Sequence, residues 1–300
     1  MSRCILIVNP TAGKERAIRF TPELKSILSS RFDTVQVQIT KKPGDAVTFA
    51  REAALEGVDA VFCMGGDGTI NETINGLAQA DCGTAFGFIP FGTVNDLARA
   101  LHIPLDPHHA IEILKTARLL PIDVGKINDH YFINIMAAGT LPDAVGNVSI
   151  EEKTRLGSFA YFIKALRVLQ HQQSHIFRIE TDSDILIRRS PLLAAILTNS
   201  IGSFKNIVPD VKVNDGKLRL AVFKDFELVD IIKSAPELIV GLPITTEYVS
   251  VLDIKWAKIS ILSGNALSTN IDGDRGPSFP LELKVLPSYL KVYIPQNAKL

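Results

Sequence analysis

The sequence predicts an α/β protein in two domains. An N-terminal α/β domain with a mainly parallel sheet precedes a C-terminal β-rich antiparallel domain. Three observations carry that prediction. Short apolar runs alternate with helical stretches from Cys4 to Thr116. Strand patterns dominate from Leu119 onward. Two loops that pair glycine with aspartate, Gly65-Gly66-Asp67-Gly68-Thr69 and Gly92-Thr93-Val94-Asn95-Asp96, each follow a predicted strand and open a predicted helix. Alternating strands and helices build a parallel sheet covered by helices, and a run of strands builds a separate layer.

Cys4 to Val8 is continuously apolar and reads as a buried strand, ended by Asn9-Pro10-Thr11-Ala12-Gly13-Lys14. Thr21-Pro22-Glu23 has the form of a helix start, an N-cap followed by proline. Thr34 to Thr40 alternates as a strand, and Pro43-Gly44-Asp45 leads into a helix from Ala46 to Glu56. Asp59 to Met64 and Thr84 to Ile89 are the next strands, with a helix from Thr69 to Leu77 between them. A further helix is expected over Asp106 to Thr116. Leu120 to Lys126 and Tyr131 to Ala137 look like paired strands. Helices are expected at Thr154 to Leu169 and Glu227 to Val240. Strands are expected near His175 to Glu180, Ile185 to Ile187, Leu192 to Thr198, Lys217 to Phe223, Tyr248 to Ile254, Lys258 to Leu262, Leu281 to Leu286 and Lys291 to Ile294. The first domain is placed at 1–123, with a C-terminal strand in 289–300 expected to return to it. The second is placed at 124–288.

Composition excludes several classes. The 32 basic and 32 acidic residues cancel, so no global field favours nucleic acid or an anionic surface. Cys4, Cys63 and Cys82 are scattered and lack metal spacing, and buried free thiols in a reducing compartment are expected. No apolar stretch of about 18 residues is present to span a bilayer, so a cytoplasmic protein is expected.

The organising stretch is the first glycine loop. Glycine lets a backbone approach an anion closely, and the free N–H groups and dipole of a helix N-terminus favour negative charge. A carboxylate at such a place, Asp67, calls for a cation or proton between it and a phosphate. Ligands of parallel sheets sit beyond the strands' carboxyl ends, where Asp67 and Asp96 both fall. Two convergent carboxylates there suggest magnesium.

Taken with Asn9-Pro10-Thr11-Ala12-Gly13, Asn71-Glu72, Leu97-Ala98-Arg99, Asp123-Val124-Gly125, Asn214-Asp215-Gly216 and Asn270-Ile271-Asp272-Gly273-Asp274, these motifs resemble the bacterial diacylglycerol kinases and their lipid-kinase relatives. The resemblance spreads over nearly the whole chain. It implies an ATP site formed by Asn9, Pro10, Thr11, Ala12, Gly13, Thr40, Gly65, Gly66, Asp67, Gly68, Thr69, Ile70, Asn71 and Thr93. It implies an acidic network of Asp67, Asp96 and Asp123 linked to catalytic Mg2+. It implies a structural magnesium ion at Asp215 with the backbone carbonyls of Lys212 and Lys217. It assigns the catalytic proton acceptor to Asp274, with Asp272 orienting it or taking its place. Family members carry glutamate where this chain has the shorter Asp274. Ala137 to Asp143 departs from the family pattern at a segment that shapes the acceptor pocket.

The function so implied is ATP- and magnesium-dependent phosphorylation of a lipid hydroxyl, diacylglycerol to phosphatidic acid being the first choice. The alternatives are another small-molecule kinase, such as an NAD kinase, and a catalytically silent lipid or nucleotide sensor. The expected partners are a lipid alcohol and, peripherally, the inner membrane face, with no nucleic acid; a homodimer is left open. Phe159, Tyr161, Phe162, Lys164 and Arg167 mix aromatic and basic groups on one predicted helix, a candidate docking face.

Overall fold

A computed structural model describes residues 1–81, 83–139, 174–201, 204–205, 211–224, 249–263 and 267–298. The expected helices at 154–169 and 227–240, Cys82, the docking face and the acceptor segment 140–143 lie outside the described residues. The chain divides into two compact units. One comprises Met1–Val124, Tyr131–Ile133 and Leu286–Leu300; the other comprises Gly125–His130 and Asn134–Val285.

The first unit is built by strand–helix alternation: β1 (Arg3–Val8), α1 (Ala12–Ser29), β2 (Thr34–Ile39), α2 (Asp45–Leu55), β3 (Ala60–Gly65), α3 (Asp67–Ala80) and β4 (Ala85–Pro90). The short helices α4 (Asp96–Ala100) and α5 (Pro107–Glu112) follow. The strands lie parallel in the order β2-β1-β3-β4. β3 and β4 are buried along their whole length, which is why they read as unbroken apolar runs. Chain order doubles back between β1 and β3, so the carboxyl ends of these two strands flank a topological switch point. Leu6, Met64, Phe62, Phe86 and Phe88 are among the largest side chains of the core, each nearly or fully excluded from solvent.

Several expectations are corrected. The first helix does not begin at Thr21. Pro22 lies inside α1, and Thr21 donates its hydroxyl to the Ala17 carbonyl as a mid-helix residue does. The true break is at Gly13, Lys14 and Glu15, all left-handed, with φ of 61°, 58° and 64°. Tyr131 to Ala137 is not one strand. β5 (Arg118–Ile127) pairs with β6 (His130–Phe132), whereas β7 (Ile135–Ala138) belongs to another sheet.

The second unit is antiparallel. Its strands are β8 (His175–Thr181), β9 (Ile185–Ser190), β10 (Leu193–Ile196), β11 (Ser200–Ile201), β12 (Phe204–Lys205), β13 (Leu218–Phe223), β14 (Val249–Ile254), β15 (Trp256–Ser263), β16 (Thr269–Ile271) and β17 (Asp274–Arg275). One sheet runs β14-β13-β10-β7-β16-β17. In the other, β15 pairs with β8 on one side and, on the other, with the first residues of β18 (Leu281–Ile294); β8 in turn pairs with β9. β18 is a single strand of 14 residues where two were expected. Pro287 did not end it. Ser288 takes φ 51° beside the proline, and Asp123 Oδ1 accepts its N–H at 2.8 Å, so the irregular peptide stays satisfied. Val211 to Val213, before the Asn214-Asp215-Gly216 turn, forms no strand.

Candidate active site

At the switch point the loops after β1, β2, β3 and β4 meet. Asn9 N–H donates to the Met64 carbonyl at 3.0 Å, Thr40 N–H to Val8 at 2.9 Å and Phe91 N–H to Gly65 at 2.8 Å. The Asn9 amide donates to Thr69 Oγ1 at 3.0 Å, while its Oδ1 accepts from the Thr11 N–H and hydroxyl at 3.1 and 2.9 Å. One side chain thus joins the turn after β1 to the first turn of α3.

A cavity of about 820 Å³ opens above these loops. Asn9, Pro10, Thr11, Ala12, Thr40, Gly66, Gly68 and Thr69 line it. Eight residues named from sequence are therefore gathered on one surface. Ile39, Lys41, Lys42, Pro43, Glu72 and Phe91 line it as well and were not named for that role. The signal was present at Lys41-Lys42, two cations at a strand's carboxyl end. That wall is fixed by carboxylates. Asp45 Oδ2 accepts the N–H groups of Lys41 and Lys42 at 2.7 and 3.0 Å, and Glu72 accepts that of Gly44 at 3.0 Å.

Of the other named residues, Gly65 ends β3, where an added Cβ would lie 2.4 Å from Thr69 Cβ. Ile70 is in the core, Asn71 is buried and bonded to Asn75, and Thr93 is exposed in the second glycine loop. Gly13 packs under Phe91, with an added Cβ 2.8 Å from the ring.

The two glycine–aspartate loops are clamped together. Asp67 Oδ2 accepts the Asn95 N–H at 2.9 Å, and its Oδ1 accepts the Asp96 N–H at 3.0 Å. Asn95 adopts φ 54° and binds both the N–H and the carbonyl of Gly92 through its amide. The backbones touch: a Cβ on Gly66 would sit 3.2 Å from Gly92 Cα, and one on Gly92 would sit 2.6 Å from Asn95 Oδ1. The glycines serve close approach here rather than unusual dihedrals. Burial pushes the Asp67 carboxyl above the usual range. The two N–H bonds oppose this, and the Asp96 charge adds to it.

That arrangement fits a magnesium ion. Asp67 and Asp96 offer hard oxygen donors whose charges oppose each other, and Gly66, Gly68 and Thr69 on either side of Asp67 line the cavity. Mg2+ is commonly held by one or two carboxylates together with substrate phosphates. Asp123 is buried on β5 and holds the Ser288 N–H.

In the second unit, Asp272-Gly273 form the two-residue turn of the β16–β17 hairpin, with φ of 50° and 101°. An Asp-Gly pair with both φ positive is the favoured type I′ connection. Asp272 Oδ1 accepts from Asn134 N–H at 3.0 Å and Ile135 N–H at 2.8 Å. Asp274 is exposed at the start of β17.

Lys212, Asp215 and Lys217 do not fit a magnesium ion. Asp215 receives the N–H groups of Lys212 and Lys217 and both terminal nitrogens of Arg219, which also reaches the Lys217 carbonyl. Cys4 and Cys63 are buried free thiols, as expected, pushed up to about 12 by burial.

Residues 3–127 match the family model "Diacylglycerol kinase catalytic domain", and residues 135–294 match "YegS C-terminal NAD kinase beta sandwich-like domain". A Staphylococcus saprophyticus protein named diacylglycerol kinase is 33% identical over 302 residues, covering 99% of this chain and 97% of the relative. A Staphylococcus epidermidis diacylglycerol kinase is 34% identical over 301 residues, covering 98% and 93%. A crystal structure described as a diacylglycerol kinase from Bacillus anthracis shares the fold, with a TM-score of 0.80 at 24% identity, covering 98% of this chain and 97% of the other. With both parts of the chain matched by family models and relatives aligned over nearly its whole length, this protein belongs to the diacylglycerol kinase family and is a lipid kinase.

Proposed function

We propose that the protein transfers the γ-phosphoryl group of ATP to the hydroxyl of diacylglycerol, giving phosphatidic acid, with Mg2+ as the required cation. The observation that carries this reading is the clamp of Asp67 on the second glycine loop beside a cavity of nucleotide size. The names of the relatives supply the acceptor.

Phosphoryl transfer needs alignment and charge neutralisation more than covalent chemistry. The N–H groups at the start of α3 and the loop glycines Gly66 and Gly68 hold phosphate oxygens, and Lys41 and Lys42 add positive charge at the rim. Asn9 and Thr69 keep those loops in register. Asp67 and Asp96 would hold Mg2+, which when bound offsets the charge developing on the phosphoryl oxygens. Asp274 accepts the proton of the acceptor hydroxyl; Asp272 orients the hairpin that carries it.

Among the described residues no helix is long and apolar enough to cross a membrane. We take membrane contact to be peripheral, on the cytoplasmic face, with no nucleic-acid partner. The protein incubated with labelled ATP, Mg2+ and a panel of lipid alcohols and NAD tests all of this. Labelled phosphatidic acid is the expected product. Labelled NADP would favour the second reading, which rests on the NAD-kinase-like description of residues 135–294. Nucleotide binding without any product would leave a sensor.

A further inference from the structure

We propose that the Asp215 turn is a metal-free site in which the guanidinium of Arg219 takes the place of the structural magnesium ion that the family resemblance implies. Arg219 lies on β13, a central strand paired with β10 and β14. A cation there is buried, its side chain 8% exposed, and a buried guanidinium must be paired. The pairing is supplied locally. Nη1 donates to Asp215 Oδ1 at 2.8 Å and Nη2 donates to Oδ2, the bidentate geometry that suits a carboxylate best. Nε lies 3.4 Å from Oδ1 of Asp253, the register partner of Arg219 on β14. Lys217 Nζ donates to the other Asp253 oxygen at 2.8 Å. Two carboxylates meet two cations, and the charges cancel with no ion added.

Both Asp215 oxygens and the Lys217 carbonyl are engaged. Asp215 Oδ1 also accepts the Lys217 N–H at 3.1 Å, and Oδ2 the Lys212 N–H at 3.4 Å. The Lys217 carbonyl faces Arg219 Nη1 at 3.3 Å. Mg2+ demands close octahedral oxygen ligands, and a dication at this place would sit against the guanidinium. Burial alone would raise the Asp215 carboxyl; the Arg219 pair and the two N–H groups outweigh it and hold the acid below its usual range. The turn is thus locked by the chain's own charge, and the fold of the second unit does not respond to divalent cations there.

The test uses the full chain without nucleotide, so that the cation of the phosphoryl-transfer site is not recruited by ATP. Thermal unfolding is followed in chelator and in excess Mg2+, and bound Mn2+ is counted by electron paramagnetic resonance. The wild type and Asp215→Asn are expected to bind the same number of Mn2+ ions, and the wild-type midpoint to be the same with and without Mg2+. Arg219→Met keeps the stem but removes the cation. Its midpoint should fall by about 5 °C or more, and added Mg2+ or Mn2+ should recover part of that loss. A Mn2+ site present in the wild type and lost in Asp215→Asn would overturn the proposal, as would a Mg2+-dependent rise of the wild-type midpoint that Asp215→Asn abolishes. An Arg219→Met protein that folds but gains neither ion binding nor stability would also refute the exchange of guanidinium for metal. If Arg219→Met does not fold, the wild type against Asp215→Asn decides.

Discussion

Asp67→Asn looks conservative, since the amide has nearly the size of the carboxylate, yet the geometry says otherwise. The two N–H groups that Asp67 holds arrive on different oxygens, Asn95 on Oδ2 at 2.9 Å and Asp96 on Oδ1 at 3.0 Å. An asparagine can accept one of them; its NH2 must face the other, donor against donor. A protonated aspartic acid would escape this, because both its oxygens keep an acceptor lone pair. Leaving one part-buried N–H without its acceptor costs about 1–3 kcal/mol. Removing a charge that is partly desolvated and faces Asp96 offsets some of that. A net loss of about 1–2 kcal/mol is expected, a midpoint fall of a few degrees. Turnover should fall by about 10²–10³ in addition, through the lost cation site. The pH dependence has a defined sign. The folded-state Asp67 carboxyl is raised, so its contribution to stability is fully present below the ordinary carboxylate pKa and is lost as pH rises through the raised value. The wild type should therefore exceed the variant by most at acid pH, and the gap should narrow as pH rises. The assays are urea unfolding at a series of pH values without divalent cation, and labelled-ATP turnover at saturating Mg2+. Near-normal turnover would remove Asp67 from the reaction. Lost turnover with an unchanged midpoint would refute the clamp.

Asp274→Asn should lower turnover by about 10²–10⁴ with no change in unfolding midpoint, because the side chain is exposed at the edge of β17; full activity would remove it from the mechanism. Asp274→Glu, if faster than the wild type, would show that reach limits this chain. Gly92→Ala places a Cβ 2.6 Å from Asn95 Oδ1 and 2.9 Å from Asp67 Oδ2, so the two loops must part. Catalytic efficiency should fall by about 10²-fold; wild-type kinetics would show that the loops tolerate separation.

What was legible in the sequence follows from which interactions are local. β3 and β4 could be read because strands buried on both faces must be apolar throughout. The turn from β3 into α3 was legible because a strand, glycines and a helix start are adjacent in the chain. Pro22 misled because a proline at a helix start and one further along look alike in sequence; the decisive feature, three left-handed residues at Gly13 to Glu15, has only one glycine to announce it. Pro287 misled because the N–H it disturbs at Ser288 is rescued by Asp123, 165 residues earlier. Arg219 carried no signal as a counter-ion, since a lone arginine in a strand pattern gives no hint of the two aspartates that fold onto it.

Four motif aspartates, Asp67, Asp123, Asp215 and Asp272, share one habit: each accepts backbone N–H groups, so chemistry and architecture depend on the same atoms. Asp272 makes the point separable. Its two N–H donors, Asn134 at 3.0 Å and Ile135 at 2.8 Å, converge on a single oxygen, Oδ1. An asparagine can turn its carbonyl oxygen to both and keep them, and it also tolerates the left-handed φ of 50° that the turn requires. Alanine can do neither, and should cost about 2–4 kcal/mol from two lost bonds and an unfavourable φ. Asp272→Asn should thus leave the unfolding midpoint close to wild type while Asp272→Ala lowers it markedly, the reverse of what Asp67→Asn does to its own loop. Any loss of turnover in Asp272→Asn then reports the charge alone, because the hairpin that carries Asp274 is still held. Equal destabilisation by both substitutions would mean that the convergence on Oδ1 is not what secures the turn.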